Sequence, residues 1–443
     1  MPLEAETRGG ADRARFAEVY VLHGPCLFFF CVGYARKSVP TSLGRYEISG
    51  KLAEGGMATI YLAHLRGPKG FTRTVALKML RPECANDPNF IAMFIDEANL
   101  VAKLAHPNIV QVYELGEEDG QLFIAMEMLF GETLADIWAT CRTRHARLRG
   151  DLVAWIGARV AEGLHHAHDL CDADGTRQNI VHRDVGPANV FVTYDGHVKL
   201  LDFGLVKAVR KVSQTEMGVV KGKLAYMSPE QITGQAIDRR SDVFSLAATL
   251  YELSTDQRLF KRDADEDTIR AVRDALVPDP TASVPDYPSL LWLVLRRALA
   301  RDPADRYATA QELARDLDGV ARAQGSIIQT ATLAEIMGEL YGKDRVREIS
   351  LLRAGSPRTA QARALPKPPL PQMQQASAAA VRDRRVRSPY LIPTTTEPSI
   401  IVPIVQPTLS PRRRRLTRFA LVASAAALAI IAVVAFGWSS CRN

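Results

Sequence analysis

Paired cysteines are missing. The six present in 443 residues, Cys26, Cys31, Cys84, Cys141, Cys171 and Cys441, form no C-x-x-C and no zinc-like spacing. This excludes a disulfide-stapled scaffold and a zinc module and fits a reducing compartment without structural disulfides. Acids are nearly missing from one stretch. Leu351 to Arg418 holds thirteen Lys plus Arg against Asp383 and Glu397, so it carries +11, and the net +7 of the chain leaves −4 for the rest. A mildly acidic globular part beside a basic tail argues against a nucleic-acid partner and for a tail that meets a charged surface. Charge of either sign is missing from "FALVASAAALAIIAVVAFGW", Phe419 to Trp438. Its length is about what a helix needs to cross roughly 30 Å of hydrocarbon. Arg412, Arg413, Arg414, Arg415 and Arg418 precede it, and such flanks stay cytoplasmic. The expectation is a single-pass tail anchor in the cell membrane, with the remainder of the chain cytoplasmic.

With 47% hydrophobic and 24% charged residues the chain is far from a disordered composition, and its length exceeds one compact core. Eleven of its 25 prolines fall in Leu351 to Pro411, including "LPKPPLPQ". That segment cannot bury enough apolar surface to fold, so an extended spacer is expected. Residues 1–44, with the apolar "VYVLHGPCLFFFCVGYARKS" broken by Gly24-Pro25, stay unassigned.

Between Arg45 and Asp318, strand and helix patterns follow a definite order. "YEISGKLAEGGMATIYLAHL" has two period-2 runs around a Gly-containing turn, a hairpin. "TVALKML" is a third strand, "PNFIAMFIDEANLVAKLA" a helix with one apolar face, and "IVQVYELG" and "QLFIAMEML" two more strands. From Leu134 onward helical patterns dominate, such as "LVAWIGARVAEGLHHAHDL" and "SDVFSLAATLYEL". "HRDVGPANV" (His182 to Val190) and "DFG" (Asp202 to Gly204) supply an Asp that can take a proton, an Asn five residues on, and a second Asp. These are the base and the hard-cation ligands of a phosphotransferase loop. Two other clusters read as ordinary structure: "HHAH" (His165 to His168) lies mid-helix without an added acid or Cys, and "DADG" (Asp172 to Gly175) is a turn.

Taken in order, these motifs make 45–318 resemble the protein kinase family, most closely the eukaryotic-like Ser/Thr kinases of bacteria. The resemblance implies an α+β bilobal protein kinase fold with a β-rich N-lobe over 45–128 and a helical C-lobe over 129–318. A helical extension over 319–350, a disordered Pro/Arg-rich linker over 351–418 and a C-terminal transmembrane helix over 419–438 complete the expected organisation. It also implies ATP with Mg²⁺ and protein substrates; a homodimer stays open.

By the resemblance, the phosphate-covering turn maps to Ala53, Gly55, Gly56 and Ala58, with only one of the family's three glycines kept. Lys78 would hold the α- and β-phosphates, paired with Glu97. Ile60 and Ala76 would line the adenine from above and Phe191 from below, with Met126 as gatekeeper and Glu127 and Met128 as hinge. Asp184 would be the base, Asn189 and Asp202 the Mg²⁺ ligands. Glu230 in "SPE" would pair with Arg306, and Asp242 would brace the catalytic loop. Arg183 would pair with a phosphate on the activation segment, at Thr215 first and Ser213 second.

Besides the turn, two positions near the catalytic loop depart from the family. Two residues after Asp184, where a Lys is usual, stands Gly186; and where a Thr precedes the SPE motif in Ser/Thr kinases stands Lys223. One cation has gone from the loop and one has appeared where the segment packs against it. Either Lys223 takes over the charge, or it points to solvent and the enzyme is weak. A nucleotide-binding pseudokinase scaffold is the competing reading, and tyrosine specificity is disfavoured by the loop's Pro187.

Overall fold

The computed structural model describes residues 42–203, 223–323, 327–342 and 388–394. The two alternating runs of the hairpin become β2 (Tyr46–Glu54) and β3 (Ala58–Arg66), joined to β1 (Ser42–Leu43), β4 (Thr72–Leu80), β5 (Val112–Glu118) and β6 (Gln121–Glu127). The sheet runs β1-β2-β3-β4-β6-β5, with every pair antiparallel. Helix α1 (Pro88–Ala102) begins at an Asp87 cap that accepts from Asn89 N, with Pro88 at the first position, where its missing N–H costs nothing. Its apolar stripe packs Phe94 and Ala98 onto Leu80 and Ile124.

The second lobe begins with β7 (Gly131–Thr133), α2 (Leu134–Thr143) and β8 (Ala146–Leu148), then α3 (Gly150–His168) and the β9 (Val190–Thr193)/β10 (Val198–Leu200) pair. Helices α4 (Pro229–Thr233), α5 (Arg239–Thr255), α6 (Asp265–Asp274), α7 (Ser289–Ala298) and α8 (Ala310–Ala323) follow. Nearly every residue of α3 and α5 is buried, as expected of helices without a polar face. The hydroxyls of Ser245 and Thr249 in α5 donate to the carbonyls four residues back, at 3.1 and 3.0 Å, which satisfies them inside the core.

A further helix, α9 (Thr330–Tyr341), buries Leu333, Ile336, Met337 and Leu340 in the same core. It lies so close to the β9–β10 turn that a Cβ on Gly196 would fall 1.9 Å from Thr330 O; Gly196 also has φ +83°. Only glycine meets both demands.

Among its described residues, 388–394, the proline-rich segment departs from the expected spacer. Leu391–Pro393 forms β11 and pairs antiparallel with β8, Leu391 opposite Leu148 and Pro393 opposite Ala146. Arg149 N donates to Tyr390 O at 2.9 Å, Thr394 N donates to His145 O at 2.7 Å, and the Arg149 guanidinium covers the Tyr390 ring at 4.9 Å. Three consecutive apolar residues, Tyr390 to Ile392, give this piece something to bury, and Leu391 is 6% exposed.

Among the described residues no helix is long and apolar enough to cross a membrane. Phe419 to Trp438, residues 1–41 and the two candidate phosphosites Ser213 and Thr215 lie outside them.

Candidate active site

The cleft between the lobes is floored and roofed by alternation. On β4, Ala76 and Lys78 are two residues apart and share a face; Ile60 of β3 stands opposite Lys78, and Met126 of β6 opposite Ala76. Ile60, Ala76, Met126 and Phe191 pack into one apolar cluster with Val110 and Leu201, and Ala53 and Met128 lie against it. Val110 and Leu201 were not singled out in the sequence, although Leu201 adjoins Asp202. At the hinge, Glu127 N donates to Gln111 O at 2.8 Å, and Glu127 accepts from Lys199 Nζ at 2.8 Å.

The turn between β2 and β3 holds Gly55 and Gly56. Gly55 N donates to Ala58 O at 2.8 Å, and Arg81 donates to Gly55 O at 3.2 Å. Neither glycine has a positive φ, and nothing lies within 4 Å of where a Gly56 Cβ would be. The turn therefore makes no conformational demand for glycine at these two positions, which is compatible with alanine at 53 and 58.

Lys78 is buried between two carboxylates, donating to Glu97 Oε1 at 2.6 Å and to Asp202 Oδ1 at 3.1 Å. Burial pulls the Lys78 pKa down, but the Asp202 and Glu97 charges outweigh it, so the group stays an ammonium with a raised pKa. Burial likewise opposes ionisation of Asp202, and Lys78 first, then Lys223, override it to hold that pKa below the ordinary value.

The catalytic loop is braced from beneath. Asp242 of α5 accepts from His182 N at 2.7 Å and Arg183 N at 2.8 Å, and from His168 Nε2 at 2.8 Å. Burial would raise the Asp242 pKa; the His168 hydrogen bond and the histidine charges keep it lowered. His182 Nε2–H donates to Leu201 O at 2.9 Å, tying the loop to the strand end that carries Asp202. Arg183 has φ +66°, a left-handed conformation that costs free energy for a non-glycine residue. Its N–H is held by Asp242 and its carbonyl accepts from Gln231 Nε2 at 2.9 Å. Its Nε is buried and has no partner among the described residues. Sequence reasoning set the histidine run aside as structure and missed the bracing role of His168, whose partner is 74 residues away. Gln231 was missed too, although Ser228 and Gln231 form the S-x-x-Q capping box that a sequence shows.

These braces fix Asp184. Asn189 Nδ2 donates to Asp184 O at 2.7 Å and to Asp184 Oδ2 at 2.8 Å; Lys223 Nζ donates to the same Oδ2 at 2.8 Å. Gly186 lies in the same loop, and a Cβ there would meet nothing nearer than the Tyr226 ring at 3.7 Å. Glu230 receives both terminal nitrogens of Arg306, at 2.8 and 2.9 Å, in a buried pair that anchors α4 to the loop after α7.

Residues 46–317 match the family model described as "Protein kinase domain". Over 307 residues the chain is 41% identical to the tyrosine-protein kinase MasK of Myxococcus xanthus, covering 69% of this chain and 48% of that protein. It is 37% identical over 278 residues to the serine/threonine-protein kinase PknL of Mycobacterium tuberculosis, covering 62% and 66%. The crystal structure of the M. tuberculosis PknI kinase domain, 30% identical, covers 64% of this chain and 99% of its own, with a TM-score of 0.49. The chain spans about half the length of the first curated relative.

Proposed function

The chain belongs to the protein kinase family, and from that premise we propose that it transfers the γ-phosphate of ATP to Ser and Thr hydroxyls of proteins. The observation that carries this reading is the pair of 2.8 Å donors, Asn189 and Lys223, on one oxygen of Asp184. A carboxylate pinned through one oxygen is oriented before substrate arrives, which is what a base aligning an incoming hydroxyl requires. Lys223 supplies at that point the positive charge that Gly186 cannot.

The residues fit a nucleotide and a hard cation. The apolar cluster of Ile60, Ala76, Met126 and Phe191 suits an adenine, with Glu127 and Met128 at its edge. Lys78 is a permanent ammonium beside it, held in place by Glu97, and Ala53, Gly55, Gly56 and Ala58 would cover the phosphates. Asn189 and Asp202 offer oxygen ligands for Mg²⁺. Bound ATP with Mg²⁺ would supply the phosphoryl group and neutralise its charge. The buried Nε of Arg183, without a partner among the described residues, supports its reading as the group that takes a phosphate on the activation segment, at Thr215 first and Ser213 second.

The test is label transfer from ATP with Mg²⁺ to the chain itself and to Ser/Thr peptides. Lys78→Met and Asp184→Asn should each abolish it, and persistent transfer in Asp184→Asn would sink the assignment. A nucleotide-binding scaffold is the reading that remains if no transfer is found. MasK, named a tyrosine kinase and 41% identical, favours tyrosine as a second acceptor class; phosphoamino-acid analysis separates the two. The uncharged run Phe419 to Trp438 with its arginine flank supports a membrane tether with the catalytic lobes on the cytoplasmic side.

A further inference from the structure

Asp184, Asn189 and Lys223 also line a cleft of about 290 Å³, the rest of whose lining the phosphoryl-transfer reading does not use. Its floor is the catalytic loop from Asp184 to Asn189, with Gly186 contributing bare backbone; Trp138 of α2 and Tyr226 form walls. Two guanidinium groups lie near the Trp138 ring. Arg258 lies 4.2 Å from the ring centre and donates to Tyr226 Oη at 2.9 Å and Glu252 Oε2 at 3.1 Å. Arg142 lies 5.9 Å from the same ring, 3.6 Å from Asp256 Oδ1.

The acids that balance these arginines stand behind them. Arg142 and Arg258 line the cleft, whereas Glu252 and Asp256 do not. The side chains of Arg258 and Arg142 are 48% and 53% exposed, those of Glu252 and Asp256 only 2% and 20%. Each ion pair therefore presents its cationic member outward, and both guanidinium groups lie within cation–π range of Trp138. Arg142 and Arg258, with Lys223 and Lys261, thus give the cleft beside Asp184 a predominantly cationic lining.

We propose that this cleft binds an anionic side chain of the substrate, a carboxylate or a phosphorylated residue, and makes the enzyme acid-directed. The inference rests on the protein-kinase reading and specifies its substrate class. Guanidinium pairs bidentately with either anion, so the source is left to the experiment.

The test uses the full chain and peptides with one Ser acceptor whose flanking positions carry Ala, Glu, phosphoserine or Lys. It reads both kcat/KM for transfer and peptide affinity by fluorescence anisotropy. Glu or phosphoserine peptides should exceed the Ala peptide by about threefold to tenfold, through KM, as expected for partly exposed ion pairs. Whichever of the two is better identifies the source. Arg142→Gln and Arg258→Gln should each bring that ratio towards one, and Arg142→Glu should shift preference to the Lys peptide. Arg258→Gln leaves buried Glu252 without its cation and risks misfolding; Arg142→Gln removes only a half-exposed group and keeps the test decisive. Equal turnover and affinity for all peptides, or a Lys preference in the unaltered enzyme, overturns the proposal while leaving the kinase reading intact. Selective binding of acidic peptides without transfer does the reverse.

Discussion

Replacing Lys223 by Thr, the residue the family usually carries there, isolates the relocated charge. In the structure the Lys223 ammonium is 2.8 Å from Asp184 Oδ2 and close enough to Asp202 to help lower its pKa. It therefore bonds the proposed base and acts electrostatically on Asp202, the proposed metal ligand. Removing one preorganised donor of this kind costs about 10² to 10³ in kcat, which at 1.36 kcal/mol per decade is about 2.7 to 4 kcal/mol of transition-state stabilisation. ATP affinity should barely change, because Lys78, Glu97 and the adenine cluster are untouched. Gly186→Lys has room for its first side-chain atom, 3.7 Å from Tyr226, but brings a second ammonium to an oxygen already served, so alone it should be neutral or harmful. The double variant Gly186→Lys/Lys223→Thr should regain much of the lost rate. The assay is kcat and the KM for ATP in all four proteins, with thermal melts to exclude unfolding. A large non-additive coupling is expected. Additive effects, or full activity of Lys223→Thr alone, would refute relocation.

Breaking the buried Glu230–Arg306 pair by Glu230→Gln should cost about 3 to 5 kcal/mol at neutral pH, because a buried guanidinium loses its partner; chemical denaturation measures it. Burial opposes ionisation of Glu230, but Arg306 and Ser241 depress its pKa below the ordinary 4.5. A depressed carboxylate contributes stability that is complete above its unfolded value and is lost as pH falls through the folded one. Acid destabilisation should then set in below about pH 4.5, and Glu230→Gln should flatten that limb; an unchanged acid profile would count against it. Leu391→Asp should undock β11 and raise hydrogen exchange at Arg149 N and Thr394 N at least tenfold, since it puts a charge at a buried position; unaltered exchange would contradict the pairing. Ending the chain after Pro411 should move it from the membrane fraction to the soluble one with activity kept, and continued sedimentation with membranes would remove the tether.

The legible part of the site was the part written in residue type at fixed spacing. Lys78, Glu97, Asp184, Asn189 and Asp202 announce their chemistry, and the structure gathers them through two ion pairs and one amide. The exchange at Gly186 and Lys223 was legible because two departures had to be considered together, 37 positions apart. The parts that stayed hidden depend on encounters the chain does not encode locally. Arg142 and Arg258 meet only across Trp138, from different elements. Strand β11 has three residues, too few for a period, within a composition that argues for no structure at all. His168 looks like its neighbours in the run until Asp242 arrives beneath it.

Strand β11 also turns part of the chain into a store of slack. With it paired, the described chain is anchored at Gly342 and again at Ser388 to Thr394, both in the same compact unit. A pull from beyond Thr394 would load the three-residue ladder on β8 first. Were the ladder released, the last anchored residue would become Gly342, and residues 343–394 would be added to the span beyond it. At 3.3–3.6 Å per residue those 52 residues add at most roughly 170–190 Å of reach. With the proposed tether beyond Thr394, a clasp of a few hydrogen bonds would set the reach of the kinase domain in one step.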